Sequence, residues 1–221
     1  MKCTVTDHGM GVMLIMRGPQ GFSGGKVIDG IVSQIDLYPT LCELAGIEAP
    51  LWLEGRSIVP LVNGEAKEIN EVIFGEVNYH AAYQPQRAVR SSRWKYIRHY
   101  NERLSTVLPN IDDGPSKQLW LANGLRERTV EREQLFDLMY DPNEANNLAG
   151  NLAYAAQLED MRGRLNRWMM ATDDPLLFGS VPRPVETVVN PFDDANPGDV
   201  EADLPPGAWF TRKRYDQLRS G

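Results

Sequence analysis

The side chains able to do chemistry are few and scattered along the sequence. The three histidines, His8, His80 and His99, and the two cysteines, Cys3 and Cys42, lack the close spacing from which a zinc site is read. The run Gly21-Phe-Ser-Gly-Gly-Lys26 invites comparison with a phosphate-binding loop, whose backbone amides and lysine cradle phosphate. Its glycine-to-lysine spacing is too short, however, and Val27 stands where a hydroxyl residue would hold magnesium. No Gly-x-Ser-x-Gly elbow nominates a serine nucleophile. Asp7-His8-Gly9 and Asp112-Asp113 offer carboxylates to a cation, and each reads equally as a turn, the second beside Gly114-Pro115. Trp168-Met-Met170 could stack on a sugar, but at helical spacing it reads as core. Pattern alone therefore nominates no enzyme.

The elements that would position these residues are clearer. Residues 11–17 form a short apolar run closed by Gly18-Pro19, which predicts a strand buried on both faces. Residues 33–46 predict a helix with Pro39 in its first turn, Leu37, Leu41, Leu44 and Ala45 on one face, and Gly46 as its C-terminal cap. A second short helix over 57–62 ends at Asn63-Gly64, and the charged stretch 65–71 reads as a linker. Residues 71–77, 87–90 and 94–100 alternate β-branched and aromatic residues, with turns at 83–86 and 91–93, and predict an antiparallel meander. A polar loop over 101–117, a short helix over 118–125 and a further strand over 134–139 follow. Leu158, Met161, Leu165 and Trp168 then recur at three- and four-residue spacing, predicting an amphipathic helix that covers one face of the sheet. Residues 173–207, rich in proline and acidic residues, predict an extended or mobile tail anchored by Trp209-Phe210. The resulting division is 1–68, 69–172 and a tail over 173–221.

Composition bounds the partners. With 221 residues and 42% apolar content the chain can bury a real core. Its 23 Lys and Arg against 30 Asp and Glu give a net charge of -7, which disfavours a broad hold on nucleic acid or an anionic membrane. No apolar run approaches the roughly 18 residues of a membrane span, and no secretory leader is visible.

Longer blocks of sequence carry a resemblance. Lys2-Cys-Thr-Val-Thr-Asp-His-Gly-Met-Gly-Val-Met-Leu-Ile-Met-Arg-Gly-Pro19 resembles the segment that follows the last metal-binding motif of the sulfatase family. Val32-Ser-Gln-Ile-Asp-Leu-Tyr-Pro-Thr-Leu-Cys-Glu-Leu-Ala-Gly46 and Leu53-Glu-Gly-Arg-Ser-Ile-Val-Pro-Leu61 are similar to that family's next two blocks. Tyr79-His80, Arg87-Ala-Val-Arg90, Trp94-Lys-Tyr-Ile97 and Glu133-Gln-Leu-Phe-Asp-Leu-Met-Tyr-Asp-Pro-Asn-Glu-Ala-Asn-Asn-Leu148 continue it in family order. Residues 74–90 and the insertion over 109–134 look most like the N-sulfoglucosamine sulfohydrolase (heparan N-sulfatase, sulfamidase) branch.

The resemblance implies an α/β fold, the C-terminal part of an alkaline-phosphatase-like hydrolase, with a small antiparallel sheet packed by a C-terminal helix. It implies hydrolysis of a sulfate ester or sulfamate on a sugar by a formylglycine made from cysteine, with Ca2+ neutralising the sulfate oxygens. Cys3 and Cys42 lie outside the formylglycine motif and the family's Asp-Asp metal pair is missing, so the expectation is a chain inactive by itself, with no metal ligands of its own. By motif match Lys2 resembles the lysine that contacts sulfate; the ordinary alternative is a solvated terminal lysine. His80 would hydrogen-bond substrate hydroxyls or the sulfated nitrogen, or else be a structural histidine. Arg87 and Arg90 would line the pocket mouth, or pair with carboxylates such as Glu76. In the block's phase Asp7 falls after the lysine, which favours a turn over metal ligation. The partners implied are a sulfated sugar or glycan and the missing N-terminal sulfatase region. A different class of reading is a non-catalytic module that binds sulfated glycan or docks to a separately encoded N-terminal half.

Overall fold

The computed structural model describes residues 3–18, 21–185 and 187–197. Its centre is a four-stranded antiparallel sheet in the order β1 (Ile73–Tyr79), β2 (Tyr83–Arg90), β3 (Trp94–His99) and β4 (Glu133–Asp137). The meander follows from short connections, which place consecutive strands side by side. Pro85 can sit within central β2 because the pairing with β1 is irregular between Val77 and Tyr79, so no ladder donor is demanded of it. The expected turn over 83–86 is therefore strand, and the chain reverses instead at residues 80–82.

Both faces of this sheet are covered, because its side chains alternate between two cores. On one face Val89, Tyr96 and Leu135 pack against Met161, Leu165 and Met169 of the helix Ala155–Ala171, whose buried residues recur every four positions. Phe74 and Trp168 extend that core in a stacked pair 4.8 Å apart, so the tryptophan is core and not a sugar platform. On the other face Ala88, Ile97 and Phe136 pack with Val5, while Met10 and Val77 lie alongside. Residues 5–10 thus act as a lid over the second face, and a four-residue helix, Asp7–Met10, replaces the expected turn.

Residues 33–64 form a separate cluster of short helices. A 3-10 turn, Gln34–Asp36, leads into the helix Leu37–Ala45, which Gly46 ends at φ 66°, and Val59–Asn63 ends at Gly64 with φ 77°. Both glycines hold the left-handed conformation that closes a helix. Asp36 is the pin: its carboxylate accepts from the Ser33 amide at 2.7 Å, the Arg56 amide at 2.8 Å and Asn70 Nδ2 at 2.7 Å. Thr40 Oγ1 donates to the Asp36 carbonyl and accepts from the Ile58 amide. The buried side of Leu37–Ala45 therefore carries Pro39, Thr40 and Cys42, while Leu41, expected inside, is exposed.

Three further expectations are corrected. Residues 11–17 form no strand, and Met13 and Ile15 are 84% and 82% exposed. A strand buried on both faces needs neighbours, and among the described residues all named strands belong to the β1–β4 sheet. The tail is also tied down as far as it is described. Tyr79 Oη donates to the Val181 carbonyl, the Val181 amide donates to Tyr83 Oη, and the Asn190 amide donates to the Ala81 carbonyl. Trp209 and Phe210 lie outside the described residues. The helix expected over 118–125 runs instead over Pro115–Ala122, with proline at its start where no amide partner is needed.

Candidate functional site

Among the described residues, those nominated from sequence do not converge on one exposed pocket. Lys2 lies outside the described residues; the segment that follows it begins at exposed Cys3, which holds a positive φ of 59°. His80 is exposed at the β1–β2 reversal, its amide donating to the Ala82 carbonyl at 3.3 Å. The reversal is braced from one side by Asn110, whose Oδ1 accepts from the amides of Ala81 and Ala82, and from the other by Asn190. A backbone held this way fixes where the imidazole is presented.

Arg87 is wholly buried. Its Nε and Nη2 donate to both oxygens of Asp174 at 2.5 and 3.0 Å, and its Nη1 faces Asn78 Oδ1 and the carbonyls of Gln86 and Val77. Glu76, the partner expected from sequence, stands farther off at 3.5 Å. The guanidinium thus grips the chain just beyond the last helix and offers no surface to a ligand, which corrects the expectation of a pocket-mouth contact.

Arg90 and Asp7 belong to a different arrangement. Asp7 accepts from Lys95 Nζ at 2.7 Å and from Arg90 Nε at 3.1 and 3.2 Å, while its own amide donates to Glu144 Oε1 at 2.6 Å. Lys95 Nζ also donates to Glu144 at 3.0 Å; the side chain of Lys95 is 0% exposed and that of Glu144 2%. Burial pushes the Asp7 carboxyl up, but the hydrogen bond and charge of Lys95 and the charge of Arg90 outweigh it and hold the group below its ordinary value. With both oxygens facing cations, Asp7 is an anchor. Among the described residues no three His, Cys, Asp or Glu side chains stand close enough together to hold a metal, so these residues do not fit the calcium that the resemblance implies.

A third region has shape without polar convergence. The glycine-rich loop and residues 14–17 line an open cavity of about 860 Å3 against Ile58, Leu61 and Val62. Lys26 Nζ there donates to the Val62 carbonyl at 3.1 Å, so its charge serves the chain itself.

A family model described as N-sulphoglucosamine sulphohydrolase, C-terminal, matches residues 2–122. This chain belongs to the sulfatase family. An ulvan-active sulfatase of Formosa agariphila is 30% identical over 191 residues, which cover 84% of this sulfatase chain and 38% of the relative. Human N-sulphoglucosamine sulphohydrolase is 26% identical over 175 residues, 68% of this chain and 34% of that protein. A solved 2-O GAG sulfatase superposes with a TM-score of 0.52 at 28% identity, covering 71% of this chain and 29% of its own. The fold is thus the C-terminal part of an alkaline-phosphatase-like sulfatase, and the chain spans well under half the length of the relatives it matches.

The structure gives the sulfatase blocks a physical meaning that their spacing did not reveal. Asp36 and Thr40 of the second block are buried hydrogen-bonding pins. In the last block Asp141 accepts from the amides of Ala145 and Asn146, and Asn147 accepts from those of Leu135 and Ala149. Glu144, held between them at φ 53°, reaches back to Lys95. Sequence reasoning missed the buried ionic residues Lys95, Glu144 and Asp174; the one available signal was that Lys95 shares the strand face of Ile97.

Proposed function

We propose that this chain is the substrate-side and supporting unit of a sulfatase that hydrolyses a sulfate ester or sulfamate on an acidic sugar. Over the whole ester reaction one water is consumed, the S–O bond to the sugar breaks, and the products are the sugar hydroxyl and sulfate. In the sulfamate reaction the S–N bond breaks and an amine leaves. Lys2 supplies a cation for the sulfuryl oxygens, on which negative charge is concentrated as that bond breaks. His80 faces the sugar from its braced reversal and hydrogen-bonds a hydroxyl or the sulfated nitrogen. Arg87 and Arg90 act behind these groups, holding backbone in place. The nucleophile and any calcium ligands would come from the sulfatase region that this chain does not match. The same account divides the chain near residue 68, between a part of the large domain and the sheet-plus-helix unit.

The observation that carries the reading is where apolar surface is left bare. Val12, Met13, Ile15, Val27, Leu41, Leu51 and Trp52, all before the sheet, are more than half exposed, whereas later residues such as Leu119, Leu152 and Phe178 are exposed singly along the chain. Monomeric proteins seldom leave large apolar patches bare unless another surface covers them. Because relatives possess an additional region, docking to that region, in the same polypeptide or as a separate chain, is the reading that the surface favours over free binding of a sulfated glycan.

The test is co-expression with a formylglycine-bearing sulfatase N-terminal region, followed by assay on O-sulfated and N-sulfated sugars. The expected result is a stable assembly that releases sulfate, with Lys2→Ala lowering kcat/KM by on the order of 100-fold or more. An assembly whose turnover ignores Lys2 removes its role, and sulfated-glycan binding by the chain alone without turnover in any assembly transfers the protein to the non-catalytic reading.

A further inference from the structure

The second face of the sheet is closed by the residues that follow Lys2, and the closure is ionic as well as apolar. Val5 is 2% exposed among Ala88, Ile97 and Phe136, which seats the segment. Gly75 is the point of closest approach on β1, since a Cβ there would stand 2.7 Å from Met10 Sδ. Gly9 folds the segment back on itself; a Cβ at that position would lie 2.2 Å from the Thr4 carbonyl oxygen. None of these apolar contacts fixes the segment along the strand direction, because hydrophobic packing has no preferred direction. Direction comes from Asp7.

Three charged groups meet at Asp7, one from each of three elements: Arg90 from the end of β2, Lys95 from the start of β3, and Glu144 from the turn after β4. Arg90 and Lys95 are register partners across the β2–β3 ladder, so a carboxylate placed between them senses both strands at once. Glu144 binds two different groups through one oxygen, the Asp7 amide and Lys95 Nζ, while its Oε2 is buried with no hydrogen-bond partner. That is a costly arrangement for a carboxylate, and it persists only where the rest of the site holds it. We propose that Asp7, Lys95 and Glu144 form a latch whose role is to position the segment carrying Lys2, making the small sheet the reference frame for the sulfate-contacting cation. Asp7, Lys95 and Glu144 are positioning residues, and this inference rests on the assignment of Lys2 given above.

The latch accounts for the connection between two blocks of sequence that lie 137 residues apart, the Asp7 amide and Glu144 being in direct contact. It also explains why a lysine occupies an inward position on β3, where an aliphatic residue would pack more simply. A purely stabilising contact would not need to engage the lid by its backbone and its side chain together.

Hydrogen exchange on the 221-residue chain tests the latch without any need for turnover. Wild type, Asp7→Asn, Lys95→Met and the double variant are compared, with peptides from β2 and β3 as the internal control for folding. Asp7 is partly exposed, so Asp7→Asn leaves the sheet intact even if Lys95→Met does not. The expected result is exchange over residues 3–11 that is on the order of tenfold faster in each single variant and no faster again in the double, with β2 and β3 unchanged. Unprotected amides over 3–11 in wild type, single variants like wild type, or effects that simply add, overturn the latch.

Positioning is then separated from stability with inorganic sulfate as the probe, read at the Lys2 side-chain NMR signal. A response in wild type that weakens in Asp7→Asn supports positioning, and an undiminished response in Asp7→Asn overturns it. No response in wild type, together with the expected exchange pattern, overturns the assignment of Lys2 while upholding the latch.

Discussion

At the scale of single residues, buried charge decides more of this structure than the candidate catalytic groups do. Arg87 and Asp174 are both fully enclosed, and two charges removed from water persist only as a well-formed pair. Arg87→Met strands the Asp174 carboxylate and is expected to cost about 3–5 kcal/mol in urea unfolding, whereas adding Asp174→Leu recovers much of the loss. Equal loss in the single and double variants would show that the pair itself does not hold the chain end. Asp7 gives a pH prediction with a definite sign. Its carboxyl sits below its ordinary value of 3.8, so the stability it contributes is present above that value and disappears as pH falls through the lower, folded value. Exchange protection over residues 3–11 is therefore flat from neutral pH down to about 4 and is lost below it, while Asp7→Asn shows no such step. Lys95, Arg90 and Glu144 are the charged groups facing Asp7.

At the scale of elements, backbone proximity sets the strictest demands. Gly55 passes so close to the preceding helical turn that a Cβ would lie 2.0 Å from the Ile35 carbonyl oxygen and 2.9 Å from the Asp36 amide nitrogen. Neither atom belongs to a side chain that could rotate away. Gly55→Ala is thus expected to cost at least about 1–3 kcal/mol and to loosen residues 33–64 while leaving β1–β4 intact, which thermal unfolding followed by residue-specific NMR would show. A variant as stable as the parent would mean that the two segments can part freely. The same contrast explains what was legible in advance. The meander, the long helix with Met161 and Leu165 inward, and the glycine caps at 46 and 64 all follow from local period and turn chemistry. The helix Leu37–Ala45 buries the opposite face from the one its leucines mark, because Asp36 and Thr40 are fixed by partners 15 and more residues away. Residues 11–17 carry a strand's composition without a strand's neighbours, and composition alone cannot supply them. The candidate site was least legible: His80 is exposed at the β1–β2 reversal, but Arg87 turned inward to a partner 87 residues away.

At the scale of the whole molecule, the two faces of the sheet are closed and the surface of residues 11–52 is open. That asymmetry predicts a stability gradient, with the sheet and its helix protected and residues 11–32 exchanging rapidly in the isolated monomer. Replacing Leu41 and Trp52, 57% and 73% exposed, by lysine is expected to reduce self-association in sedimentation without altering the sheet, and to abolish capture of the sulfatase N-terminal region. Strong protection throughout 11–32, or capture unaffected by the two lysines, would place the seam elsewhere. The central claim is that these residues support and orient sulfate hydrolysis while the nucleophile comes from outside them. The most direct measurement is hydrolysis of p-nitrophenyl sulfate by the purified chain alone. The account predicts no release of p-nitrophenol above buffer at any enzyme concentration; release proportional to the amount of this chain, persisting through successive purification steps, would contradict it.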